Sequence, residues 1–344
     1  MDFDVIVLGA GIVGVSSALH LQDRGLRVAL VDRRAPGEET SHGNAGLIER
    51  SSVVPYAFPR RLGTLLRYAR NRSVDLYWDY RALPAYAGWL ARFWRESSPQ
   101  RLAAAAREPG IGDAFCGAFH WQDPKTVSSP GGLTKAYARL FERDGGTFVR
   151  GDATTLVQVD DGWQVRTEHG PLVARSAVVA LGPWSDQVFA PLGYRIPLRA
   201  KRGYHMHYRP TRTPLNVPVC DTEAGFVVAP MEGGRLRLTT GVEIAPRDAP
   251  PTGVQLARAE PLARDAFGIG ERLDPEPWLG MRPCTPDMRP VIGPAPRHRH
   301  LWFAFGHCHH GLTLGPATGR LLAEMMTGAP TYIDPHPYRP ARFG

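Results

Sequence analysis

The run Gly9-Ala10-Gly11-Ile12-Val13-Gly14 constrains this chain more than any other feature. It follows a short apolar run, Phe3 to Leu8, that reads as a buried strand. It opens a segment, Ile12 to Arg24, with helical apolar spacing at Val13, Ala18, Leu19 and Leu21. A second apolar run, Val28 to Val31, ends in Asp32, eighteen residues after Gly14. Glycines keep such a turn tight and let its backbone approach a pyrophosphate. The helix start supplies N–H donors and a positive dipole end, and the terminal carboxylate accepts from ribose hydroxyls. A bare Gly-x-Gly-x-x-Gly could be an ordinary turn in an α/β protein; the strand–turn–helix–strand–acid order favours a dinucleotide site.

With 344 residues, the chain can bury a full core and suggests one large or two interleaved domains. The net charge of +8 is almost all arginine, since only Lys125, Lys135 and Lys201 are lysines. No basic block or nucleic-acid module is present, which argues against nucleic-acid binding; the charge fits anionic cofactors and substrates, or an anionic membrane surface. Cys116, Cys220, Cys284 and Cys308 show no Cys-x-x-Cys or metal-type spacing, so buried thiols in a reducing compartment are expected. The N-terminus lacks a basic region before its glycine-broken apolar stretch, and no run reaches membrane-spanning length. A cytoplasmic protein is expected, with peripheral attachment at the inner face of the cytoplasmic membrane as a second location.

A Gly/Ser/Asn-rich loop follows the second strand, and residues 55–102 are dense in arginine and aromatics, read mainly as core with the remainder open to a partner or membrane surface. Helices are expected over Pro84–Glu96 and Pro99–Arg107, and from Pro130, capped by Ser128-Ser129, to about Arg143. Strands are expected at Thr147–Arg150, Thr155–Val159, Trp163–Glu168 and Leu172–Ala180, then antiparallel ones at Gly203–Tyr208, Gly225–Pro230 and Arg235–Val242. A helix near Val254–Ala266 precedes strand Leu301–Phe305, a loop from Gly306 to Gly311 and a helix from about Gly315 to Met326. The expected division is a discontinuous nucleotide domain of residues 1–54, 129–194 and 290–344, and a substrate domain of 55–128 and 195–289, with the site between them.

Five motifs occur in order: the glycine fingerprint, Ser41-His42-Gly43-Asn44-Ala45-Gly46, Ala180-Leu181-Gly182-Pro183-Trp184, Gly280-Met281-Arg282-Pro283 with Thr285-Pro286-Asp287, and Gly306-His307-Cys308-His309-His310-Gly311-Leu312. Together, over nearly the whole chain, they resemble the D-amino-acid oxidase superfamily of FAD flavoproteins, which includes glycine and sarcosine oxidases and bacterial D-amino-acid dehydrogenases. The branch acting on D-proline-like or hydroxy-D-proline substrates looks nearest. The resemblance implies an α/β fold: a Rossmann-type FAD-binding domain with an interleaved antiparallel-sheet substrate domain, of the D-amino-acid oxidase/glutathione-reductase-2-like kind. It implies non-covalent FAD, since the cysteine that carries flavin in sarcosine-oxidase relatives aligns with Gly280. Members also carry a longer stretch where this chain passes from Arg107 through Glu108-Pro109-Gly110 towards Asp113 to Trp121.

The implied chemistry is amino-acid catabolism by oxidative deamination, with hydride passing from the substrate Cα to flavin and the nitrogen lone pair forming an imine. Electrons would leave to oxygen, to a quinone, or to a partner flavoprotein or Fe–S subunit. Arg282 is the carboxylate anchor, because a guanidinium offers a bidentate fork. Tyr204 reaches the same carboxylate or is an inward strand residue. His309 and His42 contact the substrate amine or flavin, or are structural; zinc on His307, His309 and His310 is the rival reading. For FAD, Gly9, Gly11, Ile12 and Gly14 cradle the pyrophosphate, Asp32 holds the ribose, and Arg33 covers the adenine or is solvated. Ser41, Asn44, Ala45, Gly46 and Leu47 run past the phosphates and ring. Ala153, Ala180, Gly182 and Trp184 lie by the adenosine half, and Gly306, Gly311, Leu312 and Thr313 by the pyrimidine edge. An NAD(P)-dependent dehydrogenase is an alternative enzyme, and a flavin-binding subunit of a larger dehydrogenase complex is a reading from another class.

Overall fold

The computed structural model describes residues 3–48, 62–71, 73–74, 76–96, 125–212, 215–221 and 224–344. The chain begins β1 (Phe3–Leu8), helix Ile12–Gln22 and β2 (Val28–Asp32), then β3 (Leu47–Ile48), helix Leu62–Ala69, β4 (Leu76–Trp78) and helix Leu83–Glu96. After β5 (Lys125–Thr126) and helix Pro130–Arg143 come β6 (Thr147–Val159), β7 (Gly162–Thr167) and β8 (Gly170–Val179). Next are β9 (Arg199–Pro210), β10 (Val219–Asp221), β11 (Phe226–Met231), β12 (Arg235–Thr239), β13 (Val242–Ile244) and helix Val254–Phe267. The chain closes with β14 (Ile269–Arg272), β15 (Trp278–Cys284), β16 (Val291–Pro294), β17 (Leu301–Phe305) and helix Gly311–Thr327.

In the first sheet β1 lies between β2 and β8 and is parallel to both; β6 adds parallel to β2, and β17 parallel to β8. The near-unbroken apolar runs of β1 and β2 suit a sheet covered on both faces. Val5, Val7, Val28 and Leu30 pack towards the Ile12–Gln22 and Gly311–Thr327 helices; Ile6, Leu8 and Val31 pack with Trp163, Phe189, Phe303 and Phe305 on the other side. The two strands expected at Thr147–Arg150 and Thr155–Val159 are one strand, β6, which β7 joins to β8.

The second sheet is built on β9, which pairs antiparallel with β12, β13, β14 and β15. Tyr204, Met206 and Tyr208 on one face of β9 bury against Leu256, Ala259 and Ala263 of helix Val254–Phe267. Side chains alternate along a strand, so Lys201, Gly203, His205 and His207 take the opposite face. One pairing departs from the expected antiparallel set: β4 runs parallel to β13, bringing Trp78 and Tyr86 over Ile244.

Of the aromatics in 55–102, Trp78, Tyr86, Trp89 and Phe93 are buried, while Tyr80 and Trp94 are exposed. The expected helix Pro99–Arg107 and the segment 108–121 lie outside the described residues, as does Cys116. Cys284 and Cys308 are buried as expected, whereas Cys220 is exposed. No helix among the described residues is long and apolar enough to cross a membrane.

Candidate functional site

The glycine turn folds as its spacing implies. Gly9 has φ +108°, and a Cβ there would stand 2.5 Å from the Ala180 carbonyl oxygen; one on Gly14 would stand 1.8 Å from that of Gly9. Helix Ile12–Gln22 therefore starts hard against the ends of β1 and β8. Gly11 caps it without a side-chain hydrogen bond, and no acidic residue lies in its first turn. The Asp32 carboxylate accepts from the Ala10 N–H at 2.6 Å and the Arg34 N–H at 3.0 Å, which holds it beside the turn.

Three further segments meet here. The Ser41 hydroxyl accepts from the Ile12 N–H at 3.0 Å, tying the 41–46 loop to the helix start. Asn44 folds back to accept from the Gly46 N–H at 2.8 Å, and Gly46 takes φ +80°. Gly182 has φ +54° and starts a short helical turn, from which Trp184 receives the Arg33 guanidinium at 4.5 Å over its ring; Arg33 also pairs with Glu39 at 2.8 Å. Ala153 packs against the core beneath the first sheet.

The sequence suggests a C-terminal helix from about Gly315. It starts at Gly311, with Pro316 in its second turn. Gly311, Leu312 and Thr313 are thus its N-terminal turn, again with no acid in that turn, and the Thr313 hydroxyl reaches the Leu47 carbonyl at 3.4 Å. Gly306, at φ +83°, turns β17 into this loop. His307 points inward, its Nε2 2.9 Å from the Thr318 hydroxyl, and burial drives it down to about 3. His309 is pushed to about 2, mainly by burial, with His310, Arg282 and Lys201 adding positive charge nearby. Both rings are neutral at physiological pH.

Arg282 lies on β15, where it pairs with Lys201 of β9 and therefore shares the face of Lys201 and Gly203. Its guanidinium lies over Gly203 and donates to the carbonyls of Gly241 at 2.8 Å and Thr240 at 3.2 Å. Of the two readings of Tyr204, its surroundings favour the inward strand residue. It is on the opposite face, 1% exposed, and its hydroxyl donates to Glu243 at 2.7 Å while accepting from Arg202 and the Thr252 N–H. Burial raises its pKa, and Arg202 pairs with Glu243 at 2.8 Å in the same enclosed network. A one-residue step along β9 separates the two faces, and spacing alone could not say which faced the site.

His42 lies 6.3 Å from the His205 ring and 6.2 Å from Trp278, and burial lowers its pKa, helped by Arg237. Trp278 stacks on His205 at 4.8 Å and presses against Gly43 and Gly280, leaving no space for a Cβ at either. His205, His207, Arg237, Asp274 and Trp278 line this side of the second sheet and were not singled out from sequence. The alternation in Lys201–His207 was the available signal.

Two helix starts without acidic side chains, a tight glycine turn and a strand-end carboxylate suit a dinucleotide: its pyrophosphate at Gly9, Gly11 and Gly14, its ribose at Asp32, and a ring extending along the 41–47 loop towards Gly311–Thr313. The fold and these elements are those of a dinucleotide-binding type of α/β protein, with the second sheet bonded to the 40–44 loop. Residues 4–325 match the FAD dependent oxidoreductase (DAO) family, and the chain belongs to that family. It is 29% identical to a glycine oxidase of Pseudomonas aeruginosa over 99% of both chains. It is 30% identical to a D-amino acid dehydrogenase of Cereibacter sphaeroides over 96% of this chain and 93% of that one. Among solved structures, glycine oxidase from Geobacillus kaustophilus is similar, with a TM-score of 0.72 at 23% identity over 98% of each chain. The fold class and the superfamily resemblance read from the five motifs are borne out, and the family implies a flavin cofactor.

Proposed function

We propose that this protein oxidises the carbon–nitrogen bond of a small amino acid, with D-amino acids, D-proline or its hydroxy derivative foremost, as the substrate class. FAD, held without a covalent link by Gly9, Gly11, Gly14 and Asp32, would supply the acceptor for the hydride of the substrate Cα, giving an imine that water hydrolyses. The chain's residues do the rest. Arg282 takes the substrate carboxylate in a bidentate fork, its orientation fixed by the Thr240 and Gly241 carbonyls. His309, half-buried and neutral, would face the amine without adding a charge that opposes the developing iminium. The positive end of helix Gly311–Thr327 would stabilise the negative charge of a reduced flavin whose pyrimidine edge reached Gly311–Thr313. The amine must be neutral when hydride departs, so turnover rises with pH until that deprotonation is complete.

The observation that carries this reading is the junction of β15 with the loop leading out of the first sheet: the Cys308 N–H donates to the Pro283 carbonyl at 2.8 Å, with Arg282 and His309 each next in the chain to one end of that bond. A glycine-type oxidase is the second reading, favoured by the similarity to glycine oxidases. Anaerobic mixing with a panel of D-amino acids, L-amino acids, glycine and N-methylglycine tests both. Bleaching of the flavin by D-proline-like substrates supports the first reading; rapid reoxidation in air assigns oxygen as acceptor. A panel with no bleaching rejects the catalytic reading in favour of a flavin-binding subunit with electron-transfer partners, whether a quinone, an Fe–S protein or a membrane-surface complex.

A further inference from the structure

Behind the 42–44 loop lies a buried chain of polar groups that the chemistry above does not use. Arg237 on β12 is 4% exposed. Its Nη1 donates to the Asn44 carbonyl at 2.6 Å and the His42 carbonyl at 3.3 Å. Its Nε donates to His207 Nε2 at 3.0 Å. Arginine can only donate, so His207 Nε2 carries a lone pair and the ring proton sits on Nδ1. That nitrogen is 2.7 Å from Asp274 Oδ2, which also accepts from the His207 backbone N–H at 3.1 Å. The carboxylate fixes the tautomer, and the tautomer fixes the arginine. His205, two residues away on the same face, stacks on Trp278 at 4.8 Å with its ring 6.3 Å from that of His42, and the Thr40 hydroxyl donates to the Met281 carbonyl at 3.1 Å. The loop from residue 40 to 44 is thus laced to the second sheet by Arg237 and Thr40.

We propose that Arg237 is a positioning residue for the cofactor: oriented by Asp274 through His207, it clamps the 42–44 loop in its FAD-holding shape, and protonation of His207 opens the clamp. The inference rests on the reading that this loop borders bound FAD. A proton on His207 Nε2 removes the acceptor it offers to Arg237 Nε and sets an imidazolium against a guanidinium. The groups facing His207 are Asp274 from the 272–278 connection, Arg237 and Arg235 from β12, and the neutral ring of His205 at 5.0 Å. Burial and then Arg237 hold His207 below the usual histidine range, against the pull of Asp274, so the clamp stays closed at neutral pH. Arg237 is itself drawn down to about 10 by burial and Arg235, and keeps its charge.

The test follows FAD release from the purified holoprotein on serial dilution, read by flavin fluorescence between pH 5 and 8, with circular dichroism of each variant. The wild-type protein should hold FAD roughly 10- to 100-fold more tightly at pH 7.5 than at pH 5, the worth of a buried charge-assisted hydrogen-bond set. Arg237→Gln should release FAD readily at every pH. His207→Gln, whose amide can accept from Arg237 and donate to Asp274 without titrating, should keep the neutral-pH affinity and flatten the acid dependence. Arg237→Lys, which can reach the loop carbonyls but not His207 as well, should bind at an intermediate level without that dependence, and covers the case in which Arg237→Gln fails to fold. Wild-type affinity in Arg237→Gln or Arg237→Lys, or an unchanged acid dependence in His207→Gln, would overturn the proposal while leaving the FAD site standing. A wild-type chain that takes up no FAD at any pH overturns the site reading and the clamp with it.

Discussion

The Arg282 guanidinium occupies the space above Gly203: a Cβ on that glycine would stand 2.6 Å from Nη1 and 2.8 Å from Cζ. β9 therefore has no side chain where β15 lays its cation across, and this absence lets the head of Arg282 lie flat against the sheet.

Gly203→Ala should tilt or displace that head, and Arg282→Lys should replace the fork by a point charge. Both should raise the KM for the amino-acid substrate, by about 10- to 100-fold for Arg282→Lys, as expected for losing charge-assisted hydrogen bonds. Flavin content should stay near that of the wild type. Steady-state kinetics on any substrate that bleaches the flavin decides the matter, and an unaltered KM in both variants removes Arg282 as the carboxylate anchor.

Tyr204→Phe should behave differently. Its hydroxyl serves Glu243, Arg202 and the Thr252 N–H inside the sheet–helix core. Losing it should lower stability by about 1–3 kcal/mol, the penalty for buried polar groups left unsatisfied, and leave the substrate KM alone. Chemical denaturation set beside kinetics separates the two effects; a large KM change with intact stability would return Tyr204 to the substrate.

Gly14→Ala places a methyl against the Gly9 carbonyl oxygen at 1.8 Å. The helix start must move away from the turn, and the N–H donors that would hold the pyrophosphate move with it. Such a protein should fold with reduced stability and purify colourless. If its visible spectrum matches that of the wild type, the pyrophosphate does not lie on this turn.

Acid should destabilise the chain through histidines that the fold holds neutral. His205 and His309 are held to about 2 and His307 to about 3, in each case chiefly by burial. The unfolded chain binds these protons near pH 6.5 and the folded one does not. Stability is therefore constant above about pH 6.5 and falls below it, at up to about 1.4 kcal/mol per pH unit for each ring. The melting temperature should drop steadily from pH 7 to pH 5, and less steeply in His307→Asn. A melting temperature that is level across that range would contradict the neutral state of these rings.

Much of this molecule was legible before its fold was known. The glycine turn, Asp32, the Val28–Asp32 strand, helix Pro130–Arg143 and strand Leu301–Phe305 follow from signals that span a few residues: turn chemistry, apolar runs and first-turn prolines. Five ordered motifs tied those pieces to FAD. Helix Gly311–Thr327 starts four residues ahead of the Gly315 that the sequence suggests, and β4, with three residues, carries too little pattern to register as a strand.

Which face of β9 meets the site was settled only in three dimensions. Alternation says that Tyr204 and His205 point opposite ways, but not which way is inward; that depends on the helix covering Tyr204 and on β15 bringing Arg282 across from Gly203. The Asp274–His207–Arg237 chain is the same kind of fact. Its members lie 67 and 30 residues apart, and the loop carbonyls they hold lie nearly 200 residues away. Local chain preferences write the turn and the strands into the sequence, whereas buried polar partnerships arise between positions that only folding makes neighbours.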